Sequence, residues 1–277
     1  MSSTVLIERV AEASPQLKAR AAGFFWLMTF LTGSFAMFVP GRLVVSGDAA
    51  ATAANILAHE ALFRLGFKAN LIATLCYIAV TLLVYEMFKP VNRSLSLLAA
   101  LFSLVGYVSG AVTFLCDIAP LIVLRGGQYL SVFTVKQLQA LAFMFHRLSA
   151  QASSIGLVFF GLHCLLIGYL ILRSTFLPRL VGALMAFAGV GWLTASFASL
   201  LLPALARALF PYIIVTGILG EGSLTLWLLV IGVNAQRWKE QASAAGEWQS
   251  HLPSTPIQSL ARRTTTPTAV SGGYPCE

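Results

Sequence analysis

Glu221 is the side chain with the clearest potential for chemistry, because it lies near the middle of the apolar run 211–233. A charged group at the centre of a lipid bilayer costs about 2.5–3.5 kcal/mol on insertion scales. One interpretation is that Glu221 faces the interior of a helix bundle and serves as a proton or cation site. The other is that a neutral carboxylic acid bonds a neighbouring helix, which adds specificity without turnover.

His163 lies in the apolar run 148–172, about one helical turn deeper than Glu221. If the two helices touch, a Glu–His pair could bridge them and titrate near neutral pH. The commoner arrangement for such a histidine is a hydrogen bond to a backbone carbonyl group. Together, Glu221 and His163 form the predicted intramembrane polar site.

A second group of polar residues falls near those ends of the apolar runs that are predicted to face outward. These residues either line an outward vestibule or form ordinary ion pairs at the membrane boundary. The members of this predicted outer cluster are Asp117, Arg42, Asn70, His146 and Arg147.

Sequence motifs for metal, nucleotide and hydrolase chemistry do not occur. His59 and Glu60 begin an H-E-x-x-H pattern, but its fifth position is Phe63, so a zinc-binding pair is not formed. The chain has no phosphate-binding loop, no dinucleotide fingerprint and no nucleophile elbow. The sequence therefore predicts no metal or cofactor and argues against an enzyme.

The composition indicates that membrane-spanning helices carry the polar residues described above. Hydrophobic residues make up 58% of the chain and charged residues 10%, against about 45–50% and 25% in soluble domains. So few charges cannot coat a protein of 277 residues in water. We predict an all-α integral membrane bundle of about six transmembrane helices, near residues 21–40, 65–88, 95–118, 148–172, 176–202 and 211–233.

The basic residues predict how this bundle is oriented. The net charge is +8, but Lys and Arg are scattered singly or in pairs beside the apolar runs. That pattern is typical of membrane orientation rather than of a nucleic-acid surface, so the predicted partner is the lipid bilayer and not nucleic acid. Lys and Arg are denser in the loops on the side of the termini, which predicts that both termini are cytoplasmic.

The predicted organisation has three parts. A cytoplasmic N-terminal arm covers residues 1–20, the six-span domain residues 21–233, and a largely disordered cytoplasmic tail residues 234–277. Two polar inserts interrupt the six-span domain. The first contains a short helix capped by Asp48, and the second, 125–139, contains a capped short helix after Thr134.

Five segments of the chain carry a resemblance to a known family: VPGRLVVSGDAAATAANILAHEALFRLG, YEMFKPVNRSLSLLA, GGQYLSVFTVKQLQALA, RSTFLPRLVG and LGEGSLTLWLLVIGV. In this order and spacing they resemble the bacterial membrane proteins grouped as domain of unknown function 4386. The resemblance covers about residues 21–233 and implies a six-span protein of the bacterial inner membrane. It supplies no activity, substrate or catalytic residue. Gly222 departs from the family pattern, which reads more like L-G-E-L-S there.

Three classes of function fit these residues. The buried carboxyl group of Glu221 favours a small-molecule or ion transporter or permease. A structural or interaction protein would have its polar groups satisfied by neighbours, with no cavity. A membrane-embedded enzyme would need His163, Glu221 and Asp117 to meet in one cavity. The ligand and the oligomeric state are left open.

Overall fold

The computed structural model of the chain describes residues 14–250 and consists of helices joined by short turns. Six of these helices are long and apolar enough to cross a membrane. The predictions of an all-α fold and of six apolar helices are confirmed, and the chain is a multi-pass membrane protein. The first five of these helices are α1 (Pro15–Gly41), α3 (Glu60–Phe88), α4 (Arg93–Arg125), α5 (Val135–Arg173) and α6 (Arg179–Leu201).

The sixth membrane helix changes its winding along its length. It begins as α7 (Pro203–Gly217), continues as a π-helical segment (Ile218–Gly222), makes one α-helical turn as α8 (Ser223–Leu226) and ends in a second π-helical segment (Trp227–Ile231). The sequence predicted a start near residue 211, but the helix begins earlier because a proline is favourable at the first helical position. Pro211 lies inside the helix, as prolines of membrane helices can.

Helix α5 is the longest helix and includes the short helix that was predicted in the second insert. The hydroxyl group of Thr134 and the side chain of Gln137 form a capping box at its start. Because no helix-breaking residue follows, the polar residues after Gln137 continue the same helix into the apolar run. With 39 residues the helix is about 58 Å long, so it extends well beyond a hydrocarbon core of about 30 Å.

The short helix α2 (Ala49–Ala58) marks one side of the bundle, which we call the α2 side. Asp48 caps it as predicted, since its carboxyl oxygen accepts a hydrogen bond of 2.8 Å from the backbone nitrogen of Ala51. The helix packs against α4 and α5. Ile56 forms a small apolar cluster with Leu43 and Leu121, which fixes α2 across the ends of the long helices.

The helix α9 (Ala235–Ser250) marks the opposite side, which we call the α9 side. Its Trp238 donates a hydrogen bond of 2.9 Å to the carbonyl oxygen of Met87. The side chain of Gln241 accepts one of 3.1 Å from the backbone nitrogen of Thr175. These anchors explain why the helix continues past Ala242, where the sequence suggested a disordered tail. Residues 1–13 and 251–277, which include most of the N-terminal arm and of the tail, lie outside the described residues.

Helices α5 and α6 meet along a seam of four glycines, Gly161, Gly168, Gly182 and Gly189. A Cβ atom added at Gly168 would lie 2.8 Å from the carbonyl oxygen of Gly182, and one at Gly189 would lie 2.9 Å from that of Gly161. Such distances leave room only for hydrogen, so the two backbones are in direct contact. Glycines spaced seven residues apart on two neighbouring membrane helices favour such close packing.

Candidate functional site

Glu221 lies inside the bundle and not against lipid. It belongs to the first π-helical segment, and its side chain is only 4% exposed. Gly220 beside it packs on α6, because a Cβ atom there would lie 2.5 Å from the carbonyl oxygen of Leu184. This close approach turns the carboxyl group toward the packed interior. Single π-helical turns are frequent at functional sites of membrane and soluble proteins alike.

Two tryptophans hold the carboxyl group of Glu221. The indole nitrogen of Trp192, on α6, donates a hydrogen bond of 2.7 Å to Oε1 of Glu221. The side chain of Trp26, on α1, hydrogen-bonds the same carboxyl group and is itself 1% exposed. Glu221 thus joins three helices through neutral N–H donors rather than through an ion pair.

An aromatic layer surrounds this carboxyl group, formed by Trp26, Tyr77, Tyr107, Phe160 and Trp192. The Tyr77 ring stacks on Tyr107 at 4.9 Å between centroids and meets the edge of Trp26 at 5.7 Å. Phe160 and Trp192 meet at 5.9 Å. The hydroxyl group of Tyr77 is buried and has no hydrogen-bond partner among the described residues.

The sequence alone did not identify this layer. A tryptophan near mid-helix, such as Trp192, is common both at the membrane interface and in packing, and the other four rings carry no signal beyond their positions near mid-helix. Their role depends on which helices are neighbours, which no motif encodes.

His163 is buried in the same region but does not bond Glu221. Its Nδ1 lies 2.8 Å from the carbonyl oxygen of Ala99, and its ring stacks on Phe160 at 6.1 Å. Its Nε2 is buried without a hydrogen-bond partner in the described part of the chain. Glu221 and His163 are therefore not in contact, because aromatic rings lie between them: Phe160 contacts His163, and Trp192 contacts both Phe160 and Glu221. The Nε2 of His163 is left unused.

A cavity of about 240 Å³ lies among α3, α4 and α5; we call it the central cavity. Its polar lining is uncharged, and the hydroxyl group of Thr113 has no hydrogen-bond partner within residues 14–250. Glycines 106, 110 and 156 line the cavity between α4 and α5, and a Cβ atom added at Gly110 would meet nothing within 4 Å. The polar and aromatic lining residues are Asn70, Thr74, Ser103, Tyr107, Thr113, Phe114, Ser153 and Phe160.

A smaller cavity of about 140 Å³, the second cavity, lies toward the α2 side. It brings together three of the five residues of the predicted outer cluster, Asn70, Asp117 and His146. Ser149 donates a hydrogen bond to Asp117. The other two predicted members, Arg42 and Arg147, are exposed and do not line this cavity. Position along the chain does not define the direction in which a side chain points.

The boundary charge at the α2 side is carried by a different residue. Glu60 forms salt bridges to Arg64, at 2.6 Å, and to Arg125, which ties the start of α3 to the end of α4. The spacing of four between Glu60 and Arg64 is the favourable one for a helical ion pair. Within residues 14–250, no three His, Cys, Asp or Glu side chains are close enough together to hold a metal ion.

Comparison with known proteins gives a family and no activity. A curated relative from Archaeoglobus fulgidus, described as an uncharacterized protein, is 26% identical over 118 residues, which are 42% of this chain and 56% of that protein. The chain thus matches only about half the length of that relative. No solved structure matches the chain. Residues 21–232 match the family described as Domain of unknown function (DUF4386), and the chain belongs to this family.

Proposed function

We propose that this protein is a small-molecule transporter, in which the central cavity holds the substrate and Glu221 carries a coupled proton. One observation carries the proposal. Tyr107 and Phe160 line the central cavity and also belong to the aromatic layer around Glu221. A membrane protein with a purely structural role does not require a polar cavity beside a buried carboxyl group. The volume of about 240 Å³ lies just below the range of about 300–1,000 Å³ for drug-sized ligands, so the substrate is a small molecule.

Two chains of ring contacts connect the cavity to the carboxyl group. One runs from Phe160 to Trp192, whose indole nitrogen bonds Glu221. The other runs from Tyr107 through Tyr77 to Trp26, which bonds the same carboxyl group. A substrate that shifts either ring at the cavity wall changes the hydrogen bonds of Glu221, and that change alters how tightly the group holds a proton.

The proton is the cation that suits Glu221. Two bulky indole rings occupy the space at its carboxyl group, and Glu221 lines neither the central nor the second cavity. A metal or organic cation needs several ligands or a cavity of its own, whereas a proton needs neither. His163 belongs to the same proposed site, because its unused Nε2 is a second buried position where a proton can reside.

The alternative of a membrane-embedded enzyme has less support. It requires Asp117, His163 and Glu221 in one cavity, but only Asp117 lines a cavity, on the α2 side. The alternative of a purely structural protein requires satisfied polar groups. Against it stand the hydroxyl groups of Tyr77 and Thr113 and the Nε2 of His163, all buried without a partner in the described chain.

Transport is tested with the full chain in proteoliposomes and a panel of small neutral and charged compounds, each assayed by mass spectrometry of the vesicle contents. We expect at least one compound to enter faster than into empty liposomes. The variant Gly110→Leu fills the central cavity and abolishes this uptake, whereas Val108→Leu, a lipid-facing change on the same helix, leaves it intact. Absence of uptake for the whole panel, or unchanged uptake by Gly110→Leu, contradicts the proposal.

We also propose that the protein resides in the cytoplasmic membrane of a bacterium, with the α9 side in the cytoplasm. The supporting observations are the family resemblance and the density of Lys and Arg at that side. A membrane-impermeant maleimide applied to intact cells should label Gln128→Cys, on the α2 side, and should label Gln236→Cys only after permeabilisation. Both positions are exposed. The reverse pattern of labelling inverts the proposed orientation.

A further inference from the structure

The second cavity contains an acidic group that forms no ion pair with a Lys or Arg of the described residues, although His146 is near enough to act on it electrostatically. Asp117 lies on α4, about 12 Å along the helix axis from Arg125, where the helix ends. This distance follows from the rise of about 1.5 Å per residue. It accepts a hydrogen bond from Ser149, but none of the salt bridges among the described residues includes it. A carboxylate that is partly buried inside a helix bundle is costly unless a cation or hydrogen-bond donors accompany it.

The other polar groups of this cavity also have unused hydrogen-bonding capacity. The side-chain amide of Asn70 and the ring nitrogens of His146 make no hydrogen bond to the described residues. Both residues line the cavity together with Asp117. Three acceptor-bearing groups around a space of about 140 Å³ can therefore surround the N–H groups of an ammonium ion, each of which needs an acceptor.

The two cavities are adjacent at Asn70, which lines both of them. Beyond Asn70 the central cavity has no charged side chain, and its wall carries the rings of Tyr107, Phe114 and Phe160. A molecule that occupies both spaces thus has a cationic end at Asp117 and a neutral body against hydroxyl groups and aromatic rings. A metal ion has no such body, so its chemistry does not suit the pair of cavities.

We propose that the substrate is a small protonated primary or secondary amine, whose ammonium group binds Asp117 and Asn70 and whose neutral body occupies the central cavity. This inference deepens the proposed function, since it names the class of molecule that the transporter carries. Arg147 is near enough to His146 to act on it electrostatically, but it lines neither cavity, so Asp117 determines the charge that the ligand meets.

The test uses the purified full chain and pairs of compounds that differ only in charge, such as 2-phenylethylamine and 2-phenylethanol, with shorter and longer pairs of amines and alcohols. Affinity is measured from the thermal stabilisation of the protein as each compound is titrated. We expect amines to stabilise the wild type and the matched alcohols to have little effect. Asp117→Asn should weaken amine binding by about 30-fold or more, as for the loss of one partner of a buried charge pair.

Asp48→Asn is the matched control, since it is the same change of acid to amide at the α2 side and asparagine also caps helices. It should bind amines like the wild type. The inference is overturned if no amine of the series stabilises the wild type, if alcohols bind as tightly as amines, or if Asp117→Asn retains its affinity. Uptake of the same compounds separates the two proposals. Binding of amines without uptake contradicts the transporter alone, and uptake of uncharged compounds without amine binding contradicts this inference alone.

Discussion

Helix α5 has two glycine-containing faces that differ in how fully the space beside the glycines is filled. On the face toward α6, glycines 161 and 168 meet glycines 189 and 182, and the backbones touch. On the face toward α4, Gly156 and Gly106 also approach closely, since a Cβ atom at either would lie 3.3 Å from the carbonyl oxygen of the other, but Gly110 faces open space in the central cavity.

The difference lies in the side chains that flank the glycines. Along the α6 seam the neighbours are apolar and buried, such as Cys164, Ile167 and Ile171, so the helices close on each other. Along the α4 face the neighbours are polar, such as Ser103 and Thr113, and a polar cavity can hold water or a polar ligand, whereas an apolar cavity stays dry. The same residue type thus brings helices together in one place and leaves room for a ligand in the other.

The comparison predicts that a side chain added at Gly168, on the α6 face, strongly destabilises the protein, whereas one added at Gly110, on the α4 face, is tolerated. Gly168→Leu should destabilise the protein by more than about 3 kcal/mol, since even its Cβ atom would lie 2.7 Å from the backbone nitrogen of Ala186. Gly110→Leu, which meets open space, should fold normally. Unfolding in mixed micelles titrated with SDS measures both variants. Equal losses of stability in the two would show that the faces do not differ.

Trp192 marks the boundary between the two faces, because it lies on α6 and its ring contacts Phe160 at the wall of the central cavity. Trp192→Phe keeps an aromatic ring but removes the N–H donor to Glu221, which should cost about 1–3 kcal/mol. In a protein that already carries Glu221→Leu, the same substitution should cost far less. A double-mutant cycle measured by SDS unfolding tests this coupling, and additive losses would mean that the hydrogen bond contributes nothing.

Ser103 on the open face should contribute little to stability. Its hydroxyl group hydrogen-bonds that of Thr81 at 2.7 Å, and such bonds between membrane helices average about 0.6 kcal/mol. Ser103→Ala should therefore leave the free energy of unfolding almost unchanged while it alters binding in the central cavity. A loss as large as that of Trp192→Phe would make the open face a structural seam like the closed one.

The sequence predicts the fold far better than the site, for a physical reason. Six apolar runs are sufficient to indicate six membrane helices, because lipid imposes the same requirement on each helix independently. The depth of Glu221 follows from the same runs, and a charged group so deep must turn away from lipid. The depth of a residue does not define which side of its helix it occupies. Asn70, Asp117 and Arg42 were therefore predicted together, but only Asn70 and Asp117 line the second cavity.

The aromatic layer illustrates what local patterns leave undetermined. Tyr77, Phe160 and Trp192 belong to three different helices, and they form a layer only because α3, α5 and α6 pack around one point. Aromatic residues near mid-helix are common packing residues, so no single one indicates a site. Helix ends were predicted less well than helix centres, as at Pro203, because a proline can either begin a helix or interrupt one.

Proton movement tests the central claim most directly. Proteoliposomes that contain the full chain and a pH-sensitive dye receive an amine that stabilises the protein, and the internal pH is followed with wild type, Glu221→Gln and the exposed control Glu240→Gln. A pH change beyond that of protein-free liposomes, which corrects for entry of the neutral amine through the lipid, is expected in the wild type and in Glu240→Gln and should be lost in Glu221→Gln while amine binding persists. An unchanged pH response in Glu221→Gln would contradict the role of this buried carboxyl group.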